Sequence, residues 1–120
     1  QHELSSFEIP KLPLLTYVVV SFNGLTSFDI SGNTYVNHVD CSYNPLHDVS
    51  IGGATAVYFF DAGVCELTET SVNHILFELD EYGLIEGYLD LSGGTNASPS
   101  GTGITSLNNL LGKAWTVMTN

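Results

Sequence analysis

The sequence predicts an α/β repeat fold in which short strands, one per turn of the chain, stack into a parallel β-sheet, with two helices in the C-terminal half. Three observations predict it. Leu15, Val18, Val20, Asn23 and Leu25 recur as Val36, Val39, Cys41, Asn44 and Leu46, and again as Val57, Phe60, Ala62, Cys65 and Leu67, each row displaced by 21 residues. The half-unit between these rows keeps the same period: Leu4, Phe7 and Ile9, then Leu25, Phe28 and Ile30, then Leu46, Val49 and Ile51. After Leu67 the spacing lengthens to 29 and then 26 residues, and the added length carries helical periodicity. A unit this short cannot bury its own apolar face, so neighbouring units must stack to share one core.

Taken in order, residues 1–14 form a partial repeat, 15–35 and 36–56 are whole ones, 57–85 and 86–111 are longer, and 112–120 supply a closing strand, all in one domain of 120 residues. The apolar-x-apolar segment of each unit reads as a strand. Val18/Val20, Val39/Cys41, Phe60/Ala62, Leu89/Leu91 and Trp115/Val117 are then expected to point inward. A first helix is expected over about Glu69 to Tyr82, with Val72, Ile75, Leu76 and Leu79 as its buried stripe, Thr68 as cap and Gly83 as stop. A second, about Thr105 to Leu111, offers Leu107, Leu110 and Leu111, and stops at Gly112. Residues 92–103 between them are turn-forming and read as a loop crossing one edge, without core residues.

Asn23, Asn44 and Asn120 sit where the chain leaves a strand, and there a side-chain amide can satisfy backbone groups that would otherwise be buried unpaired. Cys65 and Gly94 occupy that position in their own repeats, and Cys41 is an inward strand position. The two cysteines are 24 residues apart, so they lie on neighbouring rungs staggered by three residues. That diagonal, one rung of about 4.8 Å and about 10 Å of strand, is too long for a disulfide. Free, buried thiols are expected.

Strand alternation places two columns on the open face: Tyr17, His38, Phe59, Tyr88 and Ala114, and beside them Val19, Asp40, Asp61, Asp90 and Thr116. Aspartate is a poor strand residue, and like charges one strand apart repel. Two readings of the aspartates stand. In one, they and the aromatics form a ligand-facing patch; in the other, they keep an exposed sheet soluble and prevent lateral association. The candidate contact residues are Tyr17, His38, Phe59, Tyr88, Asp40, Asp61 and Asp90.

Thirteen acids against two bases give a formal charge of −11. That excludes a nucleic-acid partner, since phosphate binding needs clustered Lys and Arg, and it opposes an anionic membrane surface. No apolar run reaches the length of a membrane span, and no signal peptide is visible. No nucleophile elbow, zinc-hydrolase helix or phosphate-binding glycine loop is present. His38 and Asp40, two apart on one strand, read as a solvated pair because no nucleophile accompanies them. The expectations are therefore no enzyme, no cofactor and no metal site.

The wording Leu25-Thr-Ser-Phe-Asp-Ile-Ser-Gly-Asn33, followed by Val39-Asp-Cys-Ser-Tyr-Asn-Pro-Leu46, resembles the short 21-residue class of leucine-rich repeats found in bacterial surface and bacteriophage proteins. Leu89-Asp-Leu-Ser-Gly-Gly-Thr-Asn96 and Gly112-Lys-Ala-Trp-Thr-Val-Met-Thr-Asn120 resemble the closing part of such arrays. The resemblance implies a right-handed leucine-rich-repeat solenoid, with its parallel sheet on the concave face and short extended segments on the convex face. It implies a non-enzymatic recognition or adhesion module, extracellular, on a cell surface or on a virion, that binds a protein or carbohydrate ligand. The alternative is a structural repeat segment of a larger surface or phage-fibre-like assembly. The start of the chain offers half a repeat, Leu4 to Ile9, then Pro10 and Pro13, with no amphipathic cap. Upstream repeats, a second copy or another chain are expected against that edge.

Overall fold

The computed structural model describes residues 6–8 and 15–120. The strands are β1 (Ser6–Glu8), β2 (Tyr17–Val19), β3 (Ser27–Asp29), β4 (His38–Asp40), β5 (Asp48–Ser50), β6 (Phe59–Asp61), β7 (Tyr88–Leu91) and β8 (Thr116–Thr119). Helix α1 (Glu69–Tyr82) follows β6, and α2 (Thr102–Gly112) follows β7. Among the described residues, the chain alternates between two parallel sheets, one ordered β2-β4-β6-β7-β8 and the other β1-β3-β5. It is an α/β domain.

The sequence period becomes the pairing register. Tyr17 lies opposite His38 and His38 opposite Phe59, while Ser6 lies opposite Ser27 and Ser27 opposite Asp48. Where the spacing lengthens, Phe59 still finds Tyr88. The three-residue strands β2 to β6 each bury their central side chain: Val18, Phe28, Val39, Val49 and Phe60 are all inside. The strand positions expected to point inward lie in or against one core, which also holds Leu25, Leu46 and Leu67 and the α1 stripe Val72, Ile75, Leu76 and Leu79. Leu4, Ile9, Pro10 and Pro13 lie outside the described residues.

Helix α1 stands where the smaller sheet would otherwise have continued. It packs against β5, and its side chains take up backbone groups a next strand would have paired. Val49 donates its N–H to Ser71 Oγ (3.1 Å), and the Tyr82 hydroxyl donates to Ile51 O (2.7 Å). The helix starts as its residues dictate: Thr68 Oγ1 accepts the Ser71 N–H, and Gly83 ends it at φ 75°.

Three details differ from expectation. Helix α2 begins at Thr102, and its buried face is Gly103, Ser106 and Leu110, with Leu111 half exposed. The small residues decide this, because Gly103 lies directly against Asn73 of α1, where any Cβ would collide with the Asn73 side chain. In β8 the register slips by two: Val117 lies opposite Leu89 and Thr119 opposite Leu91, so Thr116 joins the Tyr88 column and Met118 the Asp90 column. Trp115 sets that slip, since its indole seats over Gly87 and donates to Leu84 O (2.7 Å) just before the strand starts. Finally, Asn96 and not Gly94 holds the turn-closing position, because Gly93 and Gly94, both at positive φ, lengthen the turn by two residues. No helix among the described residues is long and apolar enough to cross a membrane.

Candidate functional site

The open face of the larger sheet carries the predicted aromatic column as one continuous stack. Ring centroids lie 4.2 Å apart for Tyr17 and His38, 4.0 Å for His38 and Phe59, and 4.8 Å for Phe59 and Tyr88, with planes within 14° of parallel. These spacings track the separation of neighbouring strands, about 4.8 Å, so the register itself brings the rings face to face. One consequence changes what the column can offer. Both faces of His38 and Phe59 are covered by their neighbours, so a ligand meets ring edges there, and flat area remains at the ends of the stack.

Beside the rings, Asp40, Asp61 and Asp90 pair in sequence across β4, β6 and β7. Each carboxylate has a local duty. Asp40 Oδ1 accepts from Ser42 N (3.0 Å) and Ser42 Oγ (2.6 Å), and Asp90 Oδ1 accepts from Ser92 N (2.9 Å) and Ser92 Oγ (2.6 Å). Asp61 Oδ1 accepts only the Gly63 N–H, at 2.9 Å. Gly63 can carry no hydroxyl easily, because a Cβ there would sit 3.1 Å from Asp61 Oδ1 and 3.3 Å from Ser92 O. These bonds are Asx turns, which end a strand and start the next corner. Asp40 turns to Ser42 rather than to His38.

The middle carboxylate is the strained one. Burial raises the Asp61 pKa from its ordinary value, the Gly63 amide opposes this, and the Asp40 and Asp90 charges add to it. The Tyr88 hydroxyl is also raised, by desolvation and then by Asp90 and Asp61, which couples the ring column to the acidic one. Each carboxylate keeps its second oxygen, Oδ2, without a protein donor among the described residues. No group of three or more His, Cys, Asp or Glu there converges on a point that could hold a metal ion.

The corner residues behave as a second ladder, which the two expected columns did not include. Phe22, Tyr43 and Val64 follow the strands at the same 21-residue interval, and all have positive φ, 61°, 57° and 53°. A side chain in this left-handed region costs about 1–2 kcal/mol, and a β-branched one is rarer still. Phe22 and Tyr43 stack at 4.5 Å. The period-21 series Phe, Tyr, Val was readable in the sequence, but nothing in the apolar alternation distinguishes an exposed corner from a loop.

Beneath the corners lie the amide positions. Asn44 is buried and makes five bonds: Oδ1 accepts from Asn23 N (2.8 Å) and Leu25 N (3.0 Å), and Nδ2 donates to Val20 O, Cys41 O and Ser42 O. Asn23 donates to Val20 O and Ser21 O, and Asn120 bridges to Gly93 and Asn96. Cys65 does part of this work with sulfur, donating to Cys41 O (3.6 Å) and Gly63 O (3.5 Å). Both cysteines are free and buried. Burial, then the Cys65 and aspartate charges, push the Cys41 thiol well above its ordinary range, and burial also raises Cys65, opposed by the Asn44 and Leu46 amides. Such thiols stay protonated and unreactive.

No protein-family model matches the chain, and neither a curated protein nor a solved structure matches it.

Proposed function

We propose that the chain is a leucine-rich-repeat solenoid serving as a non-enzymatic recognition or adhesion module, extracellular, on a cell surface or on a virion, that binds a protein or glycan through the open face of its larger sheet. The observation that carries this reading is the unbroken four-ring stack, Tyr17, His38, Phe59 and Tyr88, running beside the Asp40, Asp61 and Asp90 carboxylates. Turn closure accounts for one oxygen of each aspartate. It does not account for aromatic side chains on an exposed sheet face.

The test is a comparison of the wild type with Phe59→Thr and Asp61→Asn on glycan and peptide arrays. Threonine suits an exposed strand, and asparagine keeps an acceptor for the Gly63 amide. Array signals that fall in both variants, with melting temperatures held within a few degrees, support the reading. Absence of any wild-type array signal, together with light scattering that rises with concentration, supports the structural-segment alternative instead.

A further inference from the structure

The corner ladder presents apolar side chains that the fold does not use internally. Phe22, Tyr43 and Val64 are 72%, 51% and 39% exposed, although each holds a backbone conformation that glycine takes freely. The fourth rung has Gly93 at the equivalent corner, at φ 82°. Backbone bonds keep the ladder straight: Phe22 N to Ser42 O (3.3 Å), Tyr43 N to Gly63 O (3.0 Å) and Val64 N to Ser92 O (2.8 Å). With Pro45, the three side chains line an open groove of about 350 Å³. The fold thus tolerates a strained backbone for apolar groups it leaves in water, and the Phe22–Tyr43 stack returns part of that cost.

We propose that this groove docks an extended, cationic segment of a partner protein, with an apolar residue seated against Phe22, Tyr43 and Val64 and neighbouring Lys or Arg side chains reaching the sheet carboxylates. The proposal rests on the recognition reading above and names its partner. Charge complementarity selects that partner. The chain carries a formal charge of −11, and Lys113, the single Lys or Arg among the described residues, is already engaged by Asp80. Glu66 lines the groove itself. Asp40 and Asp61 stand three residues before Tyr43 and Val64 on the same rungs. A glycan is less well served, because the inner rings of the sheet have no free face for a pyranose to stack on. An anionic segment would be repelled.

The left-handed corners supply a clean test, since glycine at those positions removes the side chain and relieves the backbone together. The probe is a fluorescein-labelled heptapeptide of alternating Lys and Leu, with Lys/Ser and Glu/Leu heptapeptides as controls, followed by anisotropy at about 0.1 M salt. The expected result is binding of the Lys/Leu peptide about tenfold or more tighter than either control. The Phe22→Gly/Tyr43→Gly variant then loses about tenfold in affinity with an unchanged or higher melting temperature. If that variant melts lower, Phe22→Gly alone, at the most exposed corner, carries the same expectation. Equal binding of the Lys/Ser peptide overturns the apolar seat. Full binding by the glycine variants, with loss in Phe59→Thr or Asp61→Asn, overturns the groove and leaves the sheet-face reading standing. Failure of every peptide overturns the cationic-segment proposal, while the glycan array tests recognition separately.

Discussion

Asp61 sits between two like charges and has one amide to hold it, whereas Asp40 and Asp90 each also receive a serine hydroxyl. Its folded pKa is raised above the ordinary 3.8, so the folded state binds the proton more tightly than the unfolded chain. Stability is therefore lost as pH rises from 3.8 through the folded value, and the cost persists above it. Asp61→Asn keeps an acceptor for the Gly63 amide and removes the charge. At about pH 7 it should stabilise by about 0.5 kcal/mol, given solvent screening at this half-exposed site. The gain should vanish in melts run at about pH 3, where Asp61 of the parent is protonated. Asn44 is the opposite case, because its five bonds serve buried backbone groups on two rungs. Asn44→Ala should cost about 2–4 kcal/mol by chemical denaturation, since it orphans several of those groups at once. Asn120→Ala, at an exposed position, should cost less than about 1 kcal/mol by the same measurement.

Elements were legible where local chemistry and periodicity agreed, and lost where a single packing contact decided. Helix α1 has a capping threonine, a four-residue apolar stripe and a terminal glycine, so its limits follow from the residues themselves. The aromatic and acidic columns were equally readable, because strand alternation and a constant period fix which residues align. The Asx-turn role of the aspartates was present as a repeated Asp-x-Ser or Asp-x-Gly, but it competes with a charge-ladder reading until the turn is seen. The β8 register was not legible, because Trp115-x-Val117 mimics the inward pair and only its docking over Gly87 shifts it. A Cβ on Gly87 would lie 2.5 Å from three indole atoms. Gly87→Ala should thus displace the indole, cost about 2–4 kcal/mol and red-shift the emission of the single tryptophan. The join between the helices is polar instead. Lys113 Nζ bonds both the carboxylate and the carbonyl of Asp80 in the last turn of α1, and Asn109 Nδ2 donates to the same carboxylate at 2.9 Å. Desolvation raises the Asp80 pKa, and the Lys113 and Asn109 bonds outweigh it to leave the pKa lowered. That stabilisation is present above the ordinary Asp value and is lost as pH falls through the folded one. Lys113→Met should cost about 1 kcal/mol at about pH 7, and less in acid, by thermal melts.

At the scale of the molecule, a formal charge of −11 is spread over a chain whose charged residues are only 12% of the total. Among the described residues few acids have a basic partner: Asp80 has Lys113, while Glu66 and Glu78 face histidines. The folded state gathers the rest more closely than the unfolded chain does, so self-repulsion is a net cost of folding. Monovalent salt shortens the reach of that repulsion from about 30 Å at about 0.01 M to about 4–5 Å at about 0.5 M. The carboxylate row on the sheet should feel this most, being a line of charges one strand apart. Raising sodium chloride over that range should therefore stabilise by about 1 kcal/mol, or about 4 °C in melting temperature. The triple variant Asp40→Asn/Asp61→Asn/Asp90→Asn should keep its Asx turns and lose a measurable part of that salt response. Calcium chloride at matched ionic strength separates screening from coordination. The three carboxylates lie in a line and spend one oxygen each on their own turn, so they do not close around one ion. Calcium should then raise the melting temperature no more than sodium does, and a saturating rise at about millimolar calcium would show instead that the row gathers a cation.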